Sequence, residues 1–353
     1  MTYALLLAGG YGIRLWPMSR LKRPKQFLRL DGKKNMVQVT VDRVGRIISK
    51  KNIYVVTLAS QRRRFRKELP SLNPSQLIGE PTGKNTAAAI ALGTAKILRL
   101  RRDPEATICV FPCDHWIGGE SSFQQSLKKA ITRAKTGKSI ILFGIKPSRP
   151  ETGYGYLEFA SGRDGVYPVR RFIEKPSPTR ANSLLRSKKI LWNSGIFIFK
   201  ASFLLNLFQK TLPKTAKIFS IVSKSPNNQK ALSSLYRMLP PISFDVGLLE
   251  RSKDIECIKA PFGWEDVGFW LNLYRRISPD PCENRSWGSV FPLESFRNLI
   301  ISDRKHLVGT FGISNLAIIH TPEITFICTR KRLGQLRGFL EKLKKVRRFR
   351  SYL

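Results

Sequence analysis

A chain of 353 residues, 42% of them hydrophobic, is long enough for one large domain with an appendage or for two domains, and too apolar to stay disordered. Its 63 lysines and arginines against 24 acids give a formal charge of +39, which favours anionic partners. The bases are spread along the chain, as in Arg62-Arg63-Arg64, Lys128-Lys129, Arg170-Arg171 and Lys344-Lys345, with no arm of interleaved aromatics; this argues against nucleic acid and for a small anionic substrate. No stretch of about 18 uncharged apolar residues is present, so no membrane-spanning helix is expected.

The first element is an apolar strand over residues 3–8. It lacks the basic flank of a secretory leader and enters a glycine turn directly, so a cytoplasmic protein is expected. In that turn Gly9, Gly10 and Gly12 let backbone N–H groups approach an anion without an intervening Cβ. Arg14 and Lys25 follow within one short segment and make the turn a candidate site for a highly charged phosphate ester. Leu15 stands where a dinucleotide fingerprint needs its third glycine, and the Gly-Lys-Ser/Thr ending of a P-loop is missing.

Helix over 35–49, strand over 53–58 and helix over 61–69 come next. The segment Gly79-Glu80-Pro81-Thr82-Gly83-Lys84-Asn85-Thr86 opens a helix over 85–101, whose N-terminus suits an anion or a polar base edge; Asn85 or Thr86 acting simply as a cap is the alternative. A strand over 107–112 ends beside Asp114, a position from which a carboxylate can hold Mg²⁺ against a triphosphate or cap a turn. Helix over 122–136 and strand over 139–144 precede Glu151-Thr-Gly-Tyr-Gly155-Tyr156, a glycine-lined wall for a sugar or base. A strand over 169–174 closes on Glu174-Lys175-Pro176, followed by a helix over 179–187. Trp192-Asn193-Ser194-Gly195 leads into a strand over 195–199 and a helix over 201–210. Lys175 can pair with a sugar phosphate, and Glu174 and Asn193 can bond hydroxyls. Asp266, in Gly-Trp-Glu-Asp-Val-Gly, can supply a second metal ligand.

Near residue 280 the pattern changes: Pro279, Pro281 and Glu283-Asn284-Arg285-Ser286 read as a linker, and strand-like runs at 298–302, 307–311, 316–320 and 324–328 follow without helices between them. They suggest a small β appendage of solenoid type. Leu333, Leu336, Phe339, Leu340 and Leu343 then recur at helical spacing among many bases, a face for core or dimer packing or for a membrane surface. The five cysteines form no Cys-x-x-Cys pair, and His115, His306 and His320 are far apart in sequence, so neither zinc nor a disulfide framework is expected.

Alternating strands and helices predict an α/β fold, a mixed, mostly parallel sheet with helices on both faces, with catalytic loops at the carboxyl ends of strands. The expected organisation is a catalytic domain over 1–280 and a β-rich appendage over 281–353 that ends in a basic amphipathic helix.

Taken in order, the motifs Leu-Ala-Gly-Gly-Tyr-Gly-Ile-Arg-Leu-Trp-Pro, Pro24-Lys25-Gln26-Phe27, Glu80-Pro-Thr-Gly-Lys-Asn-Thr86, Pro112-Cys-Asp-His115, Pro150-Glu-Thr-Gly-Tyr-Gly-Tyr156, Phe172-Ile-Glu-Lys-Pro176, Trp192-Asn-Ser-Gly195 and Trp264-Glu-Asp-Val-Gly268 closely resemble the mannose-1-phosphate guanylyltransferases, within the sugar-phosphate nucleotidyltransferases. The resemblance covers residues 3–275 and, more weakly, the β-rich tail. It implies a Rossmann-like, GT-A-like catalytic fold, a β-helix-like appendage, and synthesis of GDP-mannose from GTP and mannose 1-phosphate with Mg²⁺. By the same resemblance Gly9, Gly10, Gly12 and Arg14 would cradle the triphosphate, Lys25 would stabilise charge on its α-phosphate, and Asn85 and Thr86 would hold guanosine. Asp114 and Asp266 would ligate Mg²⁺, and Gly155, Glu174, Lys175 and Asn193 would hold mannose 1-phosphate. A homodimer through the C-terminal region is compatible with this reading. The chain departs from the family pattern at Ile13, at Lys84 and over Ser243–Glu250, which leaves a related nucleotide or sugar as one alternative and a non-catalytic basic binding module as another.

Overall fold

The computed structural model describes residues 1–10, 12–20, 23–29, 33–225, 228–268, 270–303 and 305–353. Tyr11 and the side chain of Ile13, both within the glycine-turn motif, lie outside the described residues. The chain divides into two compact units, each assembled from three separate segments: Met1–Gly9, Gln38–Cys113 and Ile117–Trp264 in one, Gly10–Val37, Asp114–Trp116 and Glu265–Leu353 in the other.

Strands β1 (Thr2–Leu7), β2 (Ile53–Leu58), β3 (Leu77–Glu80), β4 (Thr107–Pro112), β5 (His115–Gly118), β6 (Ile140–Ile145), β7 (Gly155–Phe159), β8 (Tyr167–Glu174), β9 (Ile190–Lys200), β10 (Ile255–Lys259) and β11 (Gly263–Asp266) alternate with helices along the chain. The helices are α1 (Met36–Gly45), α2 (Arg62–Glu68), α3 (Asn85–Arg101), α4 (Glu120–Ala134), α5 (Pro178–Leu185), α6 (Ala201–Thr211), α7 (Pro213–Lys224), α8 (Gln229–Met238) and the single turn α9 (Phe244–Gly247).

In the first unit nine strands form one sheet in the order β3-β2-β1-β4-β9-β6-β10-β8-β7, with β9 also pairing with β7. Every residue of β2 and β6 is buried, the continuous apolar pattern of strands covered on both faces. Leu5, Val56, Val110, Leu142 and Phe197 of the sheet pack into one core with Ala87–Leu92 of α3 and with Phe208, Phe219, Tyr236 and Phe244.

The sheet is mixed, and in strand direction mostly parallel as expected: seven of its nine strands run one way, with β8 and β9 against them. Neighbouring strands pair in parallel within β3-β2-β1-β4 and in β6-β10. Strand β9 lies antiparallel to β4, β6 and β7, while β8 lies antiparallel to β7 and β10. A periodicity reading assigns strands but not which of them reverse, and the short 160–166 link between β7 and β8 reverses the chain as a hairpin does.

The second unit has its own core, in which Leu15, Trp16 and Leu28 pack with Leu299, Ile301, Ala317, Ile319, Leu333, Leu336 and Leu340. The Trp16 ring meets Phe326 and Phe339 at centroid distances of 5.2 and 5.7 Å, and its Nε1 donates to the Tyr352 carbonyl at 2.7 Å. After α10 (Trp270–Arg276), the tail strands β12 (Arg285–Trp287), β14 (Leu299–Ile301) and β16 (Leu316–Thr321) form a parallel ladder, closed by β17 (Ile324–Thr329) running antiparallel to β16. A second parallel ladder pairs β13 (Val290–Leu293) with β15 (Val308–Phe311). Buried Asn284 and Asn298 clamp successive turns: Asn284 Nδ2 donates to Ser295 O at 2.7 Å, and Asn298 Nδ2 to Asn284 Oδ1 at 3.0 Å and to Ile313 O at 3.1 Å. The terminal helix α11 (Leu336–Lys345) turns Leu336 and Leu340 into this core, so its apolar stripe is a packing face.

Candidate active site

The glycine turn after β1 is shaped by what stands beside it. Gly12 has φ +64°, and a Cβ there would overlap Lys25 Cγ, so only glycine lets the lysine stem cross the turn. Gln26 Nε2 donates to the Gly10 carbonyl at 3.1 Å, and Ser19 Oγ donates to the Gly12 carbonyl. The loop is thereby braced from the 3₁₀ turn Lys25–Phe27. Arg14 is exposed and close enough to Lys25 for their charges to repel.

Lys25 is the centre of a charged cluster within the second unit. Its ammonium pairs with the Asp114 carboxylate, and both side chains are mostly buried. Burial alone would lower the Lys25 pKa; the carboxylates of Asp114 and Asp266 outweigh it and hold the amine above its ordinary value. Burial alone would raise Asp114, but Lys25 and His115 outweigh it and hold that carboxyl below its ordinary value. Asp266 Oδ1 accepts the Gly268 N–H at 2.8 Å and lies 3.9 Å from His115 Nε2. Asn272 Nδ2 donates to the Asp266 carbonyl at 2.6 Å. Two carboxylates and one ammonium are thus brought together from positions far apart in sequence, an arrangement able to bind a metal and a phosphate at once.

Two further groups lie in the first unit. At the start of α3, Asn85 adopts φ +67° and its Oδ1 accepts the Thr86 N–H at 2.8 Å, while Thr86 Oγ1 accepts the Phe244 N–H at 2.8 Å. Glu80 is buried, with its Oε1 3.4 Å from Tyr236 Oη, and burial pushes its pKa up to about 8. Gly9 lies against it: a Cβ there would be 3.2 Å from Glu80 Oε2.

The other group gathers the residues expected to hold a sugar phosphate. Gly155 of β7 faces Glu174 of β8 across the ladder, and a Cβ on it would stand 2.8 Å from Glu174 Oε2 and 3.4 Å from Asn193 Cβ. Lys175, at φ +44°, pairs with Glu174, whose backbone N–H donates to Glu250 Oε1 at 3.0 Å. Asn193 Nδ2 donates to Asp245 Oδ1 at 2.9 Å. Burial, then the charge of Glu174, pushes Asp245 up to about 7. Alongside, Tyr154 packs on Trp192 and Trp264 at centroid distances of 5.3 and 5.0 Å, with the Arg149 guanidinium 5.0 Å from the Trp192 ring centre.

A family model for nucleotidyl transferases matches residues 3–280. The chain belongs to the nucleotidyl transferase family. Xanthan biosynthesis protein XanB of Xanthomonas campestris pv. campestris (strain B100) is 33% identical over 352 residues, 98% of this chain and 73% of that protein. The mannose-1-phosphate guanylyltransferase of Escherichia coli (strain K12) is 32% identical over 356 residues, 97% of this chain and 73% of the relative. Among solved structures, a Thermus thermophilus protein described as a mannose-1-phosphate geranyltransferase superposes with a TM-score of 0.88 at 31% identity, covering 97% of this chain and 99% of its own. The chain is accordingly a nucleotidyltransferase enzyme of the sugar-phosphate branch, related to the mannose-1-phosphate guanylyltransferases.

In this nucleotidyltransferase the expected residues fall into groups: Gly10, Gly12, Lys25, Asp114 and Asp266 in one unit; Asn85 with Thr86, and Gly155 with Glu174, Lys175 and Asn193, in the other. Sequence reasoning misses His115 and Asp245 as members. His115 is legible as the neighbour of Asp114. Asp245 stands out in the sequence only as part of a divergent run and is brought to Asn193 by the tertiary fold.

Proposed function

We propose that this nucleotidyltransferase makes GDP-mannose and pyrophosphate from GTP and α-D-mannose 1-phosphate. The observation that carries the reading is the Lys25 ammonium held by Asp114 and within the field of Asp266. The names of the relatives support the choice of sugar and nucleotide.

The chemistry needs no protein nucleophile, because a phosphate oxygen of the sugar is already anionic and attacks the α-phosphorus of GTP as pyrophosphate leaves. Positioning and charge neutralisation are the protein's task. Gly9, Gly10 and Gly12 offer backbone N–H groups to the triphosphate, Arg14 and Lys25 neutralise charge on it, and Asn85 and Thr86 hold the guanosine. Glu174 and Asn193 bond sugar hydroxyls beside Gly155, and Lys175 pairs with the sugar phosphate. Asp114 and Asp266 are hard oxygen donors already gathered around a cation, the lysine ammonium, so the donor set fits Mg²⁺. Mg²⁺ bound there supplies charge neutralisation on the phosphates.

The family model's span supports reading residues 1–280 as catalytic and 281–353 as an appendage. Phe291, Leu293, Phe296 and Phe311 of that appendage are half-exposed or more, an apolar surface that supports dimerisation through it. Among the described residues no helix is long and apolar enough to cross a membrane. A cytoplasmic location, where both substrates occur, belongs to the same proposal.

The test is pyrophosphate release over a matrix of nucleoside triphosphates and sugar 1-phosphates. GTP with mannose 1-phosphate is expected to give the highest kcat/KM; a higher value for another pair, or no turnover with any, overturns the reading.

A further inference from the structure

The fold of the second unit brings together two histidines that the sequence separates. His306 lies in the loop after β14 and His320 on β16, and their rings meet at a centroid distance of 5.2 Å. Asp303 joins them: one ligand atom from each of Asp303, His306 and His320 lies within 4.8 Å of the others. We propose that these three residues form a binding site for a divalent transition-metal ion of the zinc class, separate from Lys25, Asp114 and Asp266.

The hydrogen bonds set the donor atoms. Asp303 Oδ1 accepts the backbone N–H of Lys305 at 3.0 Å and of His306 at 2.9 Å, which fixes the carboxylate, and lies 2.8 Å from His306 Nδ1. A metal ion bound here displaces the proton between His306 Nδ1 and this carboxylate, so that the imidazole nitrogen and the carboxylate become neighbouring donors to one ion. His320 Nδ1 lies 2.9 Å from Thr325 Oγ1, its cross-strand partner on β17. The other nitrogen, His320 Nε2, is buried and has no hydrogen-bond partner. Leaving a buried nitrogen unpaired is unfavourable, and a metal bond removes that penalty.

Imidazole nitrogens with one carboxylate suit zinc and its transition-metal neighbours better than magnesium or calcium, which prefer all-oxygen shells. Three protein donors leave a tetrahedral position open. His320 and Asp303 line a cavity of about 280 Å³ together with Trp287, Arg23 and Arg29. The guanidinium groups oppose a bare cation, so the open position takes an anion, such as phosphate or a carboxylate, that they neutralise.

The experiment is titration of the chelator-stripped protein with Zn²⁺ against a chromophoric competitor. Excess Mg²⁺ is present, and the background is Cys282→Ser to remove the exposed thiol. A single equivalent is expected to bind and to weaken at least about tenfold in His320→Gln and in His306→Asn. His306 is more than half exposed, so its substitution leaves folding intact, and thermal melts without metal confirm that for both variants. Co²⁺ in place of Zn²⁺ is expected to give visible bands of a four-coordinate nitrogen–oxygen site. Failure of the parent protein to bind one equivalent, or binding that survives both substitutions, overturns the proposal. Neither result bears on nucleotidyl transfer, which the substrate matrix tests separately.

Discussion

The ammonium of Lys25 and the carboxylate of Asp114 hold each other in their charged forms inside a mostly buried cluster. A preorganised cation of this kind acts on charge that develops during transfer rather than on ground-state binding. Lys25→Ala is therefore expected to lower kcat by about 10²–10³, with a smaller change in the KM for GTP. Steady-state kinetics on the folded variant decide it, and near-normal turnover removes Lys25 from the chemistry.

Asp114 also makes a pH statement. Its pKa is lower in the folded chain than in the unfolded one, so its stabilisation is present above the ordinary carboxylate value of about 4 and is lost as pH falls through the folded value. Asp114→Asn is expected to flatten the acid limb of stability measured by denaturant melts below about pH 5, and to weaken Mg²⁺ dependence of turnover.

Asp245 and Glu80 have the opposite sign. Both carboxyls are raised, to about 7 and about 8, chiefly by burial, so the folded chain holds protons that the unfolded chain releases. Stability should fall as pH rises from the ordinary carboxylate range to those values and level off beyond them. Asp245→Asn should reduce that decline below pH 7 while Glu80 continues it towards pH 8. Urea melts across this range in the parent and in Asp245→Asn would show it, and identical slopes would refute the assignment.

Gly12→Ala combines left-handed strain with a clash against the Lys25 stem. It should destabilise the chain by about 1–2 kcal/mol and lower kcat, because the lysine must move. Normal kcat with the expected loss of stability would separate the turn's conformation from catalysis.

Gly155→Ala places its methyl 2.8 Å from Glu174 Oε2, 2.9 Å from Phe172 Cζ and 3.4 Å from Asn193 Cβ. The KM for mannose 1-phosphate should rise at least about tenfold, the cost of about 1.4 kcal/mol, with the KM for GTP unchanged. An equal rise in both would show a general disturbance of β7.

What the sequence shows and what it hides divide along physical lines. Continuous apolar runs such as Ile53–Leu58 and Thr107–Pro112, and the helix Asn85–Arg101, are legible because each buries its own pattern of side chains. Strand β9 is legible only from residue 195, although it begins at Ile190, because Asn193 and Ser194 break its apolar run. Helices α7 and α8 escape a pattern reading because lysines, serines and glutamines mask the few residues they bury. Strand direction, and the meetings of His115 with Asp266 and of Asn193 with Asp245, depend on tertiary closure and leave no local trace.

The segmental make-up of the second unit has a consequence for synthesis. Residues 10–37, which carry Gly12, Arg14 and Lys25, bury Leu15, Trp16 and Leu28 against residues beyond 264. This stretch leaves the ribosome well before the side chains that cover it. Until then its apolar groups are uncovered, and contacts of such long sequence separation form slowly. The glycine turn is thus made well before the part of the second unit that shapes it, so chaperone protection during translation matters for this segment.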